Sequence, residues 1–273
     1  MFKNLIAVTF CLCFSLISNA QEDSGVESLE QYIAFLEKAQ ATESASEEAT
    51  AEYYRRSFAF WMPNKLAYNS EPERFRKAME LYHEGQAKYV RDRSIEIDRF
   101  ESSIENFRRF DALNTLAKDP ILFVGSSSIV FWETANSFPE YPVINRGFGG
   151  ASIPEVLHYY DDVIKKHKPS MILFYCDIDV EQGRSPDIVV NAFKELVNRI
   201  EQDFPTIPVL LLSMKPTLID DILGKDVRKN KLLSNQLLLE YAESKATLNF
   251  VDISSSMIGE DGRLKDDIFI GDG

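Results

Sequence analysis

The residue types that could do chemistry sit in the second half of the chain, in two small-residue turns and one acidic stretch. Gly125-Ser126-Ser127-Ser128-Ile129 follows the apolar run 121–124, so a serine stands where a buried strand would give way to a helix. Backbone N–H groups at such a turn can face an anion or a developing oxyanion. The alternatives are a serine-rich turn without chemistry and a phosphate loop, and the lysine of a P-loop is missing. Asn145-Arg146-Gly147-Phe148-Gly149-Gly150 follows the next apolar run, where its glycines permit close approach of backbone to a ligand or simply a tight turn. The third stretch, Tyr175-Cys176-Asp177-Ile178-Asp179, carries the one cysteine of the second half. A nucleophilic thiol needs an electropositive setting, and Asp177 and Asp179 supply the opposite. The pairs Asp161-Asp162, Asp220-Asp221 and Asp266-Asp267 read as solvated acidic faces, because no His or Cys cluster has metal-ligand spacing. Of the three histidines, His158 and His167 are expected at the surface and His83 falls in a separate, helical part of the chain.

The elements that must position these residues follow from hydropathy. Apolar runs at 121–124, 143–145, 171–175, 209–213 and 248–252 suit strands buried on both faces of a parallel sheet. Between them, Ile153, Val156, Leu157, Tyr160 and Ile164 form one helical stripe, opened by a Ser152/Glu155 capping box. Ser185-Pro186 opens a second helix and Leu233, Leu237 and Tyr241 sit on a third. The alternation predicts a doubly wound α/β domain with right-handed crossovers and its working site beyond the carboxyl ends of the strands.

Residues 21–95 read differently. They are rich in Glu, Ala, Arg and Tyr and predict helices, with a polar loop at 42–50 and a break at Pro63-Asn64. Tyr53, Tyr54, Phe58, Phe60 and Trp61 could meet a sugar but read better as core. Ile97, Phe100, Ile104, Phe107 and Phe110 form an amphipathic helix leading into the second half.

Residues 1–20 have the form of a secretory signal: Lys3, an apolar run at 5–17, and Ser18-Asn19-Ala20 before a new N-terminus at Gln21. The run is shorter than the ~20 residues that span a bilayer, and no later segment spans, so no transmembrane anchor is expected after cleavage. Export to the periplasm or the extracellular space is the expectation. Cleavage removes Cys11 and Cys13 and leaves Cys176, so stability must come from the core. The net charge of −13 argues against a nucleic-acid partner.

Taken in order, residues 121–129 and 143–150, Phe174-Tyr175, Ser213-Met214-Lys215-Pro216, Phe250-Val251-Asp252 and Phe269-Ile270-Gly271-Asp272-Gly273 resemble the SGNH/GDSL serine-esterase family over 97–273. The resemblance implies a flavodoxin-like three-layer fold at 96–273; it does not cover 21–95, which the helical pattern reads as an accessory region. It implies acyl transfer with Ser127 as nucleophile, the N–H groups of Ser127 and Gly150 as oxyanion donors, and Asp272 as the acid that orients a histidine. The substrate class would be a small ester or an acetylated carbohydrate, with no cofactor and no metal. Two departures stand out. Ile178 occupies the family's asparagine position and has no hydrogen-bond donor to offer. Asp272-Gly273 begins the Asp-x-x-His block, whose histidine the given sequence does not reach. Two expectations therefore compete: an esterase whose histidine lies on a longer product, or a catalytically inactive protein binding a glycan or acyl ligand in the same cleft.

Overall fold

The computed structural model describes residues 27–42, 45–90 and 97–269, so the expected leader at 1–20 and Asp272 lie outside the described residues. The first three helices are α1 (Leu29–Ala41), α2 (Glu47–Ser70) and α3 (Pro72–Lys88). Ser28 and Gln31 cap α1 reciprocally, Ser46 caps α2, and Pro72 starts α3 where a missing N–H costs nothing. Pro63 does not break the chain as its type suggests. It lies inside α2, where the Asn64 amide donates to the Phe60 carbonyl at 2.7 Å and buried Phe60 and Trp61 hold the turn against α1 and α3. Tertiary packing thus outweighs the local penalty of an interior proline. The aromatic group is mostly core: Tyr32 stacks on Phe60 with ring centroids 4.0 Å apart, and Tyr53 stacks on Tyr89 at 4.4 Å. Of the five aromatics, Phe58 is the exposed one.

A 3₁₀ turn at Ile97–Phe100 leads into α4 (Glu101–Leu113) and then into five parallel strands: β1 (Ile121–Gly125), β2 (Val143–Gly147), β3 (Met171–Tyr175), β4 (Val209–Leu212) and β5 (Leu248–Val251). Their order is β2-β1-β3-β4-β5, the doubly wound arrangement with a switch point between β1 and β3. Residues alternate between two faces. Leu122, Val124, Ile172, Phe174, Val209 and Leu211 pack beneath α4, α5 (Ile153–His158), α6 (Pro186–Asp203) and α7 (Val227–Glu243). Phe123, Leu173, Tyr175 and Leu212 face the other way, against Ile129, Trp132 and Phe138. Near-complete burial on both sides of β1 and β3, in the middle of the sheet, explains why these read as unbroken apolar runs, whereas the edge strand β5 exposes Asn249 and Val251.

The N-terminal helices dock on the segment that follows β4. Tyr82 Oη donates to the Ile222 carbonyl at 2.9 Å, His83 Nε2 donates to the Asp221 carbonyl at 2.7 Å, and Ile222 itself joins the aromatic core. Asn69 reaches the Leu264 carbonyl at 3.1 Å, and Arg263 returns a bond to the Ser70 carbonyl at 2.7 Å.

His167 is not at the surface. It is 6 % exposed, and neither ring nitrogen has a hydrogen-bond partner among the described residues. Burial, together with the charge of Arg146, pushes its pKa down to about 4 from 6.5. Nearby, Arg146 pairs with Asp111, which also holds Lys166 at 2.6 Å. Because the folded-state pKa is depressed, the stability that comes from keeping this ring neutral is fully present above pH ~6.5. It is lost as pH falls toward about 4, a change on the order of 3 kcal/mol. Urea denaturation across that window is expected to show a smaller acid-side loss of stability in His167→Leu than in the parent. Equal losses would assign the acid sensitivity to other groups.

Candidate functional site

The site is built where β1, β2 and β3 end together. Gly125 pairs with Gly147 on one side and Tyr175 on the other. Its φ of +143° and its closeness to Tyr175 exclude a side chain, since a Cβ would stand 1.8 Å from the Tyr175 carbonyl oxygen. The next N–H, that of Ser126, donates to that carbonyl at 3.2 Å. Ser126 is fully buried and its hydroxyl has no partner among the described residues. Ser127 then opens the helical turn Ser127–Val130 and is half-buried. Within the turn, the Ile129 and Val130 N–H groups return to the Ser126 carbonyl, at 3.0 and 3.2 Å. The Ser127 N–H finds no acceptor among the described residues, as befits the first position of a helical turn.

The second turn lies against the first. Phe148 N–H donates to the Gly125 carbonyl at 3.0 Å, and a Cβ placed on Gly149 would lie 3.9 Å from Ser127 Cβ. Asn145 fastens the two from below: its amide donates to the Ile129 carbonyl at 2.6 Å while its oxygen accepts the Gly147 N–H at 2.9 Å. Gly150 has φ +82° and, among the described residues, nothing beyond its own chain neighbours within 4 Å of where a Cβ would stand and no acceptor for its N–H. Ser127 and the Gly149-Gly150 turn are therefore neighbours, with backbone donors unspent among the described residues.

The third stretch closes the floor. Cys176 is buried and donates to the Ala151 carbonyl at 3.3 Å; burial, with Asp179 and Asp177 beside it, pushes the thiol well up, so it is not a nucleophile at rest. Ile178 packs into the apolar core and presents no donor. Asp179, which the sequence offered as a motif residue without a role, is 1 % exposed. It accepts the Ile153 N–H at 2.8 Å and pairs with Arg184, so it caps α5 from across the sheet.

Beyond β3 and β4 lies a buried charge network that the sequence reading missed, having assigned Asp220 to a solvated face. Lys231, 1 % exposed, bonds Glu181 at 2.8 Å, Asp220 at 2.9 Å and Asp177 at 3.3 Å, and Tyr175 Oη donates to Asp177 at 2.7 Å. Burial and the Asp177 charge push Glu181 up to about 7, whereas Asp177, though its burial acts the other way, is held low by Lys231 and Tyr175. The helical spacing of Lys231 on α7 gave no sign of this, because its partners come from two other segments, those after β3 and β4.

No histidine bonds Ser127 among the described residues. His83 is spent on the Asp221 carbonyl, His158 sits 3.4 Å from Asp98 at the surface, and His167 is enclosed. At the end of β5, Asp252 accepts from Ser254 and Ser255. These bonds outweigh its partial desolvation and bring its pKa down to about 2.

No family model and no curated protein matches the chain. Solved structures do. A protein described as a platelet activating factor from Streptococcus pneumonia aligns with a TM-score of 0.58 at 18% identity, covering 64% of this chain and 85% of its own. A GDSL-like lipase from Bacteroides thetaiotaomicron aligns at 0.54 and 17% identity, covering 63% and 88%. A protein described as an acylhydrolase from Bacteroides fragilis aligns at 0.52 and 19%, covering 65% and 86%. At these identities the likeness is one of architecture: the chain has the SGNH/GDSL-type α/β fold.

Removing the cation from the buried network should be costly. Lys231→Met leaves Asp177, Glu181 and Asp220 buried without a counter-charge and is expected to destabilise the fold by about 3–5 kcal/mol in chemical denaturation. A loss below ~1 kcal/mol would mean that water reaches these carboxylates.

Proposed function

We propose that the chain is an exported serine ester hydrolase acting on a small ester or an acetylated carbohydrate. The observation that supports it best is the meeting of Ser127 with the Gly149-Gly150 turn at the carboxyl edge of the sheet, beyond β1 and β2, with the Ser127 and Gly150 N–H groups unspent among the described residues. In this reading Ser127 Oγ attacks the acyl carbon and those two N–H groups take the charge that develops on the carbonyl oxygen. The alcohol leaves with a proton and water then releases the acid from the acyl-serine. By the family resemblance, the proton acceptor in this reading would be a histidine of an Asp-x-x-His block that begins at Asp272. His83, His158 and His167 are excluded by their positions. Similarity in fold to an acylhydrolase and a GDSL-like lipase supports the ester class. Division into a leader at 1–20, a helical accessory region at 21–95 and a hydrolase-like domain from 96 belongs to the same proposal, as does a periplasmic or extracellular location.

One observation favours a second reading, a non-catalytic cleft that binds a glycan or acyl group: Ile178 lies in the core at the position where a third donor would be expected. A fluorophosphonate probe separates the two. Covalent labelling mapped to Ser127, with hydrolysis of 4-nitrophenyl acetate lost in Ser127→Ala at unchanged stability, is the expected result. A product carrying the complete Asp-x-x-His block yet refusing the label would overturn the hydrolase reading and leave the binding one.

If the missing donor limits the rate, Ile178→Asn should raise kcat by up to ~10²–10³. An unchanged kcat in a folded variant would show that this side chain does not face the oxyanion.

A further inference from the structure

We propose that Arg99 is a positioning residue that holds the Gly150 N–H toward Ser127, an inference that rests on the Ser127–Gly150 reading above. The problem it answers is entropic. Two successive glycines have no side chain with which to anchor themselves and lose more conformational freedom on ordering than any other pair. An oxyanion donor, by contrast, works only when its direction is set before the charge appears.

The fixing comes from outside the turn. Arg99 Nη2 donates to the Gly150 carbonyl at 2.7 Å. The same guanidinium grips Glu155 with two bonds, Nε at 2.6 Å and Nη2 at 3.1 Å, so its plane is set by a fork before it meets the carbonyl. Glu155 is fully buried and cannot drift, because its Oε2 also accepts the Ser152 N–H at 2.8 Å and the Ser152 hydroxyl at 2.7 Å. With Ala151 N–H bonded to the Phe148 carbonyl at 3.1 Å, both sides of the 150–151 peptide are tied, which leaves rotation about the Gly150 N–Cα bond as the local freedom of the neighbouring Gly150 N–H. Gly150 stands at φ +82°, with open space where a Cβ would be and no acceptor for its N–H among the described residues. The strap carrying Arg99 is itself seated: Phe100 meets Phe148 edge-on at 5.0 Å, and the Arg99 guanidinium lies 4.5 Å from the Phe100 ring centre. The arrangement gives the residues ahead of the sheet a part in the site, although no motif marks them.

The test uses the full chain and two readouts. Backbone ¹⁵N relaxation of Gly149 and Gly150 is expected to give order parameters near ~0.85 in the parent and below ~0.6 in Arg99→Met, with the β1 amides unchanged. In parallel, Arg99→Met should lower kcat for 4-nitrophenyl acetate and the fluorophosphonate labelling rate by about 10- to 100-fold, while KM moves little. Arg99→Lys, with one ammonium in place of a fork, should fall between the two. If Arg99→Met does not fold, Glu155→Gln weakens the grip without removing the arginine and should show the same changes in milder form. Unchanged glycine order parameters overturn the clamp whatever Ser127 does, and unchanged kcat with Ser127 active overturns its role in catalysis. If Ser127 takes no label but the glycines loosen, the hydrolase reading falls and the clamp on Gly150 stands.

Discussion

At the end of β1 three strands run out in register, and the middle one has no room for a side chain. A Cβ on Gly125 would stand 1.8 Å from the Tyr175 carbonyl oxygen. That close approach lets the chain turn straight from strand into the helical turn carrying Ser127, and lets the Phe148 N–H bond back to the Gly125 carbonyl. Parallel pairing is what makes one such contact sufficient. Strands running the same way end at the same edge, so the turns after β1, β2 and β3 must meet there. Every contact at the candidate site, from Asn145 bridging two turns to Asp179 capping α5, presupposes that register.

Charge does the work around this edge that apolar packing does within the sheet. The loops after β3 and β4 are drawn onto α7 by Lys231 and its three carboxylates, and the glycine turn is drawn toward the 3₁₀ strap by Arg99 and Glu155. Groups of this kind hold geometry more than they add stability, because desolvation offsets much of their attraction. That suits an edge where backbone donors must point outward and cannot be buried. The N-terminal helices contribute from the side: their aromatic core takes in Ile222, and Tyr82 and His83 bond carbonyls of the segment after β4. The helical region and the loops at the carboxyl edge are thus one packed body.

The apolar runs of the five strands, the Ser152/Glu155 box, the Ser185-Pro186 start and the two small-residue turns were legible in the sequence, because each is a local signal with a period or a cap. The doubly wound class followed once the runs were taken as buried on both faces, and the order β2-β1-β3-β4-β5 came from the fold. Three expectations failed for a shared reason. Pro63 is inside a helix, His167 is enclosed, and Asp220 is buried beside Lys231. Each depends on what distant segments bring to it.

The sequence by itself determined the element types, the doubly wound class, and the identity of Ser127 and the glycine turn as the residues worth examining. Only the tertiary structure decided which of them meet. It set Gly149 beside Ser127, left the Gly150 N–H unspent among the described residues, placed all three histidines away from the serine, and drew Arg99 across to Gly150. The reason is physical. Periodicity and capping act within a few residues of a position, whereas a neighbour fifty residues away is chosen by packing and charge in the folded chain.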